Sequence, residues 1–179
     1  MRRMIAVLVL GFPGWVSAHP VDEVVQGAYL ILRPNEVKLE LDIAIGTEVA
    51  AALLPAVDPD GDGIISAAEM QAYASFVLQQ LVITLDGTKA TWALVDAAAP
   101  DYAMLVSGNA LIKINAVVAR ADRSGTHVFH YLNPYQPAKT LRIANVFLQP
   151  SEGWQYKIIT QDHSDDGAQM AVSYTATER

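Results

Sequence analysis

The sequence predicts a mostly β, α+β fold: a β-sandwich of short antiparallel strands into which one helix–loop–helix segment is inserted. Apolar and polar residues alternate with period two near the start of the chain and again throughout its second half. Between these regions the apolar residues recur with helical spacing. Hydrophobic residues make up 52% of the 179 residues, which is enough for a substantial core. The net charge of −7 argues against a nucleic-acid partner.

The N-terminal segment has the pattern of a signal peptide. Two basic residues, Arg2 and Arg3, precede the apolar run IAVLVLGFPGWV, and small residues end at Ala18. We expect residues 1–18 to be removed, which leaves 19–179 as a single sandwich domain that is periplasmic or secreted. An uncleaved anchor or a buried strand is the alternative. No other apolar run approaches the length of a membrane helix, so the processed protein should not span a membrane.

The first predicted element after this segment is a β-hairpin. Its second strand carries an apolar face of Val37, Leu39, Leu41, Ile43 and Ile45 and a charged face of Glu36, Lys38, Glu40 and Asp42. The connection RPNE places Pro34 second in a four-residue turn, which favours a type I turn.

The helical segment is predicted at about residues 47–80. Thr47 is a candidate N-cap for its first helix, and Pro55 should limit that helix. Ser66 is a candidate N-cap for the second helix. The second helix has one apolar side, formed by Met70, Tyr73, Ala74 and Val77.

Strand patterns return at Leu81 and continue to the end of the chain. Asp86 and Gly87 form a tight hairpin signal inside LVITLDGTKATWALV. Clusters of Gly, Pro, Asn and Asp separate the later segments, which are NALIKINAVVA, GTHVFHYL, KTLRIANVFL, WQYKIITQ and AQMAVSYTA. Many short strands at even spacing are typical of a sandwich.

The acidic stretch DPDGDGIISAAE, between the two helices, has the ligand spacing of a calcium-binding loop. Calcium prefers hard oxygen ligands, and the six positions that would supply them are Asp58, Asp60, Asp62, Ile64, Ser66 and Glu69. Ile64 would bind through its backbone carbonyl, Ser66 through a water, and Glu69 through both carboxylate oxygens. Gly63 occupies the position that needs a positive φ, and Ile65 an apolar position facing the core. The alternative is a solvated acidic turn.

This segment resembles the EF-hand family from about Glu48 to Gln79. The resemblance implies Ca²⁺ binding through the six residues just named. The chain departs from the family in that Pro55 interrupts the entering helix and no second loop is found. Ile65 must therefore pack on the β-domain or against another molecule.

A looser resemblance covers most of the processed chain. The AHP start, the hairpin, the helical insertion and LVITLDG resemble the extracytoplasmic β-domain of bacterial nickel/cobalt permeases and related periplasmic proteins. The resemblance implies an accessory role in Ni, Co or Cu uptake beside a membrane permease partner. Cleavage after Ala18 would give His19 a free amine beside its imidazole, a chelate suited to Cu(II) or Ni(II).

The other histidines give weaker signals. His127 and His130, three residues apart in a predicted strand, should point to opposite faces. His163 lies among acidic residues in a predicted turn. No nucleophile elbow, phosphate-binding glycine loop or zincin helix occurs, and with no cysteine there is no thiol chemistry. The sequence therefore favours a non-catalytic calcium-binding protein.

Overall fold

The structure is a computed structural model that describes residues 22–108, 111–149 and 151–179. The predicted signal peptide and His19 lie outside the described residues. The described strands are β1 (Val24–Arg33), β2 (Glu36–Ile45), β3 (Val82–Leu85), β4 (Thr88–Ala90), β5 (Ala93–Ala98), β6 (Leu111–Ala119), β7 (Gly125–Leu132), β8 (Thr140–Leu148), β9 (Trp154–His163) and β10 (Gln169–Glu178). The described helices are α1 (Ala50–Val57), α2 (Ala67–Gln80) and α3 (Tyr102–Val106).

The strands form two five-stranded sheets, which confirms the predicted sandwich. The first sheet has the order β5-β6-β2-β1-β8 and the second β4-β3-β7-β10-β9. Strand β8 pairs with β1 in parallel, whereas the other described pairings are antiparallel. The parallel pair arises because the chain leaves the second sheet after β7, adds β8 to the edge of the first sheet and then returns.

The core lies between the sheets and beneath the two longer helices. The predicted apolar face of β2 is fully enclosed, and Leu39, Leu41 and Ile43 are each 0% exposed. Opposite it, the second sheet contributes Phe129 and Val172, which are also 0% exposed. Helix α2 packs along β5 at the edge of the first sheet. The helical insertion is therefore part of the same hydrophobic core as the sandwich.

The β1–β2 turn differs from the prediction. Asn35 has φ 62°, which the third residue of a type II turn adopts and that of a type I turn does not. Asn tolerates this left-handed conformation, and Pro34 suits the second position of either turn. The prediction of a type I turn is therefore wrong.

Helix α1 begins later than predicted. Its N-cap is Val49, which makes no side-chain cap hydrogen bond, and Thr47 lies in the turn before it. The Val49 N–H donates to Gly46 O at 3.1 Å, so a backbone turn leads out of β2 into the helix. Pro55 lies inside α1, which is only eight residues long. The prediction of Thr47 as the cap is wrong. The prediction that Pro55 limits the helix is wrong as well, because the helix continues past Pro55 to Val57.

The Asp86–Gly87 turn joins β3 to β4 as predicted. Asp86 Oδ1 accepts the Val128 N–H at 2.8 Å, and its Oδ2 lies 2.7 Å from His127 Nδ1. Burial raises the pKa of Asp86, but the hydrogen bonds from Val128 and His127 outweigh it and hold that pKa below its ordinary value of 3.8. The turn is thus tied to the neighbouring strand β7.

In the part of the chain that the structure describes, none of the helices combines the length and the apolar character needed to cross a membrane.

Candidate metal centre

The acidic loop lies between two helices that are both anchored in the core. Helix α1 ends at Val57 and α2 begins at Ala67. The buried residues of the two helices are Ala50, Leu53, Leu54, Val57, Met70, Tyr73, Ala74, Val77 and Leu78. They include the four residues predicted for the apolar side of the second helix, which is confirmed. Ile65 is half-buried and packs against the same core. These contacts fix both ends of the loop.

Asp58 organises the first half of the loop. It is only 5% exposed, and its Oδ1 accepts the Gly61 N–H at 3.0 Å while its Oδ2 accepts the Gly63 N–H at 3.1 Å. Gly61 and Gly63 have φ of 71° and 76°, so the positive φ predicted at Gly63 is confirmed. Glycine adopts this conformation without the steric penalty of a Cβ atom. The two glycines thereby turn their N–H groups onto a single carboxylate.

Two further carboxylates shape the turn. Asp60 Oδ1 accepts the Asp62 N–H at 3.2 Å, and Asp62 Oδ1 accepts the Ile64 N–H at 2.7 Å. Each side chain thus binds the backbone two residues ahead, the pattern of an Asx turn. These short-range hydrogen bonds fold the loop backbone around the carboxylates of Asp60 and Asp62.

Helix α2 begins with a reciprocal capping box. Ser66 Oγ accepts the Glu69 N–H at 3.2 Å, and Glu69 Oε2 accepts the Ser66 N–H at 2.8 Å, which confirms Ser66 as the N-cap. The other carboxylate oxygen, Glu69 Oε1, is buried and has no hydrogen-bond partner. One carboxylate oxygen of Glu69 therefore caps α2, and the other accepts no hydrogen bond from the protein.

Asp58, Asp60 and Glu69 meet in one group. Each offers a carboxylate oxygen, and these oxygens all lie within 4.8 Å of one another. No other described group of three or more His, Asp or Glu side chains has this geometry. The Asp62 N–H has the largest single effect on Asp60 and lowers its pKa. Partial burial, the contact with Asp58 and the charges of Asp62 and Glu69 together outweigh that effect, so the pKa of Asp60 is raised.

These observations fit a divalent cation. Desolvation, the hydrogen bond with Asp58 and, more weakly, the charges of Asp62 and Glu69 disfavour the charged state of Asp60. A cation among these carboxylates would offset their repulsion. The donors are hard carboxylate oxygens, the ligands that calcium prefers, and the buried oxygen of Glu69 lacks any protein partner. The donor set contains no sulfur or imidazole nitrogen, which softer transition metals favour.

The remaining predicted ligands lie in the same loop but outside this group. The carboxylate of Asp62 is not among the three, and its Oδ1 accepts the Ile64 N–H. The Ile64 side chain is 67% exposed, and the Ser66 hydroxyl caps α2. The structure thus brings together three of the six predicted residues through their side chains.

The three histidines that the structure describes lie in β7 and at the end of β9, not in this loop. His127 is half-buried on the side of β7 that carries Phe129, whereas His130 is exposed on the other side, as the spacing predicted. His127 Nε2 lies 2.8 Å from Arg123 O. His163 Nε2 lies 2.8 Å from Ala144 O and ties the end of β9 to β8.

The sequence analysis missed a buried polar group at the β8 side of the sandwich. Gln26, Asn133 and Arg142 are 1%, 2% and 8% exposed. Arg142 gave no such signal, because it alternates in β8 with the apolar Leu141 and Ile143, which the structure leaves exposed. Gln26 did give one, because its neighbours at i±2, Val24 and Ala28, are apolar and face the core. Polar residues at such positions indicate a buried network or a binding site.

Comparisons with known proteins do not add a function. No family model matches the chain, and no curated protein matches it either. The proposed function therefore rests on the geometry of the acidic loop.

Proposed function

We propose that this chain is an exported calcium-binding protein, periplasmic or secreted, whose single EF-hand-like loop stabilises or regulates a non-catalytic β-sandwich binding module. The observation that carries the proposal is the convergence of Asp58, Asp60 and Glu69 oxygens within 4.8 Å, between two helices anchored in the core.

The bound calcium would be held by the three converging carboxylates. Asp58 and Asp60 supply oxygens from the loop, and Glu69 supplies Oε1, the atom that has no protein partner. Asp62, the Ile64 carbonyl and a water on Ser66 would complete the shell. Calcium supplies positive charge that favours the ionised form of Asp60 and offsets the repulsion from Asp62 and Glu69, which contributes to its raised pKa.

The stabilising role follows from where the ligands lie. Asp58 directly follows α1 and Glu69 lies in the first turn of α2, so one cation would clamp the two helices together. Helix α2 is in turn joined to the sandwich, since the Tyr73 and Tyr135 hydroxyls lie 3.1 Å apart. Calcium would therefore stabilise the whole domain and not only the loop.

Calorimetric titration of the exported protein with CaCl₂ tests this proposal. We expect one site, which Asp60→Asn weakens by about tenfold or more because it removes a charged ligand. Asp101→Asn is the matched control: Asp101 is exposed, far along the chain from the loop, and makes no side-chain cap hydrogen bond. No heat of binding at millimolar calcium, or equal affinity for both variants, would contradict the proposal.

The same titration with CuCl₂ tests the alternative function, an accessory role in transition-metal uptake. Copper binding that Asp60→Asn leaves intact, and that one extra residue ahead of His19 abolishes, would support that alternative instead.

A further inference from the structure

Two of the arginine side chains that the structure describes are buried, and their electrostatic surroundings differ. The Arg120 side chain is 6% exposed and pairs with Asp122 at 2.6 Å. Arg142 is 8% exposed, and no described carboxylate lies within ion-pair distance of it. Both have an Nε without a hydrogen-bond partner, so what distinguishes Arg142 is the missing counter-charge. Arginine stays protonated in proteins, and a buried charge is normally paired.

The contacts of Arg142 within the protein are neutral. Its Nη2 donates to Tyr135 O at 3.3 Å and to Gln136 Oε1 at 3.1 Å. These bonds orient the guanidinium group but do not neutralise its charge.

The segment that holds Arg142 is itself fixed by buried hydrogen bonds. Gln26 Nε2 donates to Tyr135 O at 3.1 Å, and Asn133 Nδ2 donates to Gln26 Oε1 at 2.6 Å. The Tyr135 N–H donates to Asn133 Oδ1 at 3.1 Å. The position of Arg142 is therefore set before any ligand arrives, which is the arrangement of a preorganised binding group.

Arg142 lines a cavity of about 610 Å³ beside β8, here called the β8 cavity. Its walls are residues 140–145, the β9–β10 turn at residues 163–167, and Gln136. Leu141 and Ile143 are 43% and 47% exposed and give this wall an apolar part. The volume falls within the range of small-molecule sites.

The turn that forms the other wall is rigid and acidic. A Cβ atom on Gly167, which has φ 66°, would lie 2.0 Å from Arg142 O, so the turn packs directly on the β8 backbone. Asp166 Oδ1 accepts hydrogen bonds from Ser164 Oγ at 2.6 Å and from the Ala168 N–H at 3.1 Å. These bonds and, more weakly, the charge of Arg142 lower the pKa of Asp166, so it is ionised at neutral pH. Asp165, also exposed, lines the same wall.

The β8 cavity is thus lined by Arg142, Asp165 and Asp166, and the guanidinium group of Arg142 pairs with neither carboxylate. A simple anion would be repelled by Asp165 and Asp166, and a simple cation by Arg142. We propose that the β8 cavity binds a small zwitterion, an amino acid or short peptide, with its carboxylate at Arg142 and its ammonium group at Asp165 and Asp166.

Titration calorimetry with three matched probes tests this proposal on the exported protein. L-leucine carries both charges, L-leucinamide lacks the carboxylate, and N-acetyl-L-leucine lacks the ammonium group. We expect L-leucine to bind and each analogue to bind about tenfold more weakly or worse, since each loses one ion pair. The titrations are made in EDTA, so their outcome does not depend on whether the acidic loop binds calcium.

Two variants and one control locate the site. Arg142→Gln and Asp165→Asn should each weaken L-leucine binding by about tenfold. Asp165 is exposed, so its variant keeps the test valid if Arg142→Gln fails to fold. Arg123→Gln, an exposed arginine at the opposite end of the second sheet, should bind L-leucine like the wild type.

Three outcomes would overturn the proposal. The first is no binding of L-leucine or glycyl-L-leucine up to about 20 mM, beyond the millimolar range of weak sites. The second is equal affinity for the three leucine probes. The third is binding of inorganic phosphate without binding of L-leucine, which would assign the cavity to a simple anion.

Discussion

Replacing Glu69 with Gln separates two roles that the structure gives to this side chain. Its Oε2 caps α2 by accepting the Ser66 N–H, and its buried Oε1 has no partner in the protein. Gln retains a carbonyl oxygen that can cap the helix, because capping boxes use Glu or Gln at this position. Gln lacks the negative charge and the second hard oxygen that a bidentate calcium ligand needs.

The expected changes in the free energy of unfolding follow from the linkage between calcium binding and folding. Without calcium, Glu69→Gln should change the free energy of unfolding by no more than about 0.5 kcal/mol. For a site with Kd of about 10⁻⁴ to 10⁻³ M, about 10 mM calcium should stabilise the wild type by about 1.4 to 2.7 kcal/mol. This corresponds to a rise in Tm of about 3–11 °C for a chain of this size. A tenfold loss of affinity in Glu69→Gln should remove about 1 kcal/mol of the calcium effect.

Thermal melts followed by circular dichroism, in EDTA and in calcium, measure these quantities. Ser66→Ala is the control: it removes the hydroxyl cap and should lower stability by about 1 kcal/mol in EDTA. It should still respond to calcium, because its proposed contribution to the ion is through a water. If calcium raises the Tm of Glu69→Gln as much as that of the wild type, the assignment of Glu69 as a ligand is refuted.

Three further predictions concern the fold. Leu41 is 0% exposed at the centre of the first sheet, so Leu41→Ala should lower the free energy of unfolding in urea by about 2–5 kcal/mol; a loss below about 1 kcal/mol would show that this position is not core. Gly63 has φ 76° and open space around it, so Gly63→Ala should lower that free energy by about 1–2 kcal/mol through backbone strain alone. Gly153, which has open space and no positive φ, is its control, and an equal effect at both sites would contradict the loop geometry. Because the pKa of Asp86 is lowered in the folded state, Asp86 stabilises the fold above pH 3.8 and loses this effect as the pH falls through its folded pKa. Asp86→Asn should therefore be less stable than the wild type by up to about 1 kcal/mol at pH 7, with the difference vanishing in acid melts; a difference independent of pH would rule out this charge effect.

The elements that could be predicted from the sequence are those set by local patterns. The alternation in β2 identifies its buried face because successive side chains of a strand point to opposite sides of the sheet. Ser66 was correctly predicted as the N-cap of α2, since Ser66 and Glu69 have the spacing of a capping box. The spacing of Asp58, Asp60 and Glu69 likewise indicated that these side chains lie close together, as the structure shows.

The start of α1 and the type of the β1–β2 turn depend on alternative local conformations that the sequence allows. Thr47 has the chemistry of an N-cap, but a backbone turn from Gly46 to Val49 follows β2 and delays the helix to Ala50. Pro34 suits both turn types, and the left-handed Asn35 decides between them. Composition alone does not resolve such alternatives.

Long-range pairing could not be predicted from periodicity. The parallel alignment of β8 with β1 joins residues more than a hundred positions apart, for example Val24 with Thr140. This pairing places Arg142 beside Tyr135 and the β9–β10 turn, and it thereby creates the β8 cavity. The alternation of Arg142 with the apolar Leu141 and Ile143 would place Arg142 on the outward face of β8, whereas the structure buries it.

A crystal structure of the exported protein grown with calcium, with anomalous scattering recorded, tests the central claim most directly. We predict one strong peak in the acidic loop, about 2.3–2.6 Å from oxygens of Asp58, Asp60 and Glu69. A well-ordered loop with no peak there at saturating calcium, or a peak bound only by residues elsewhere in the chain, would contradict the claim.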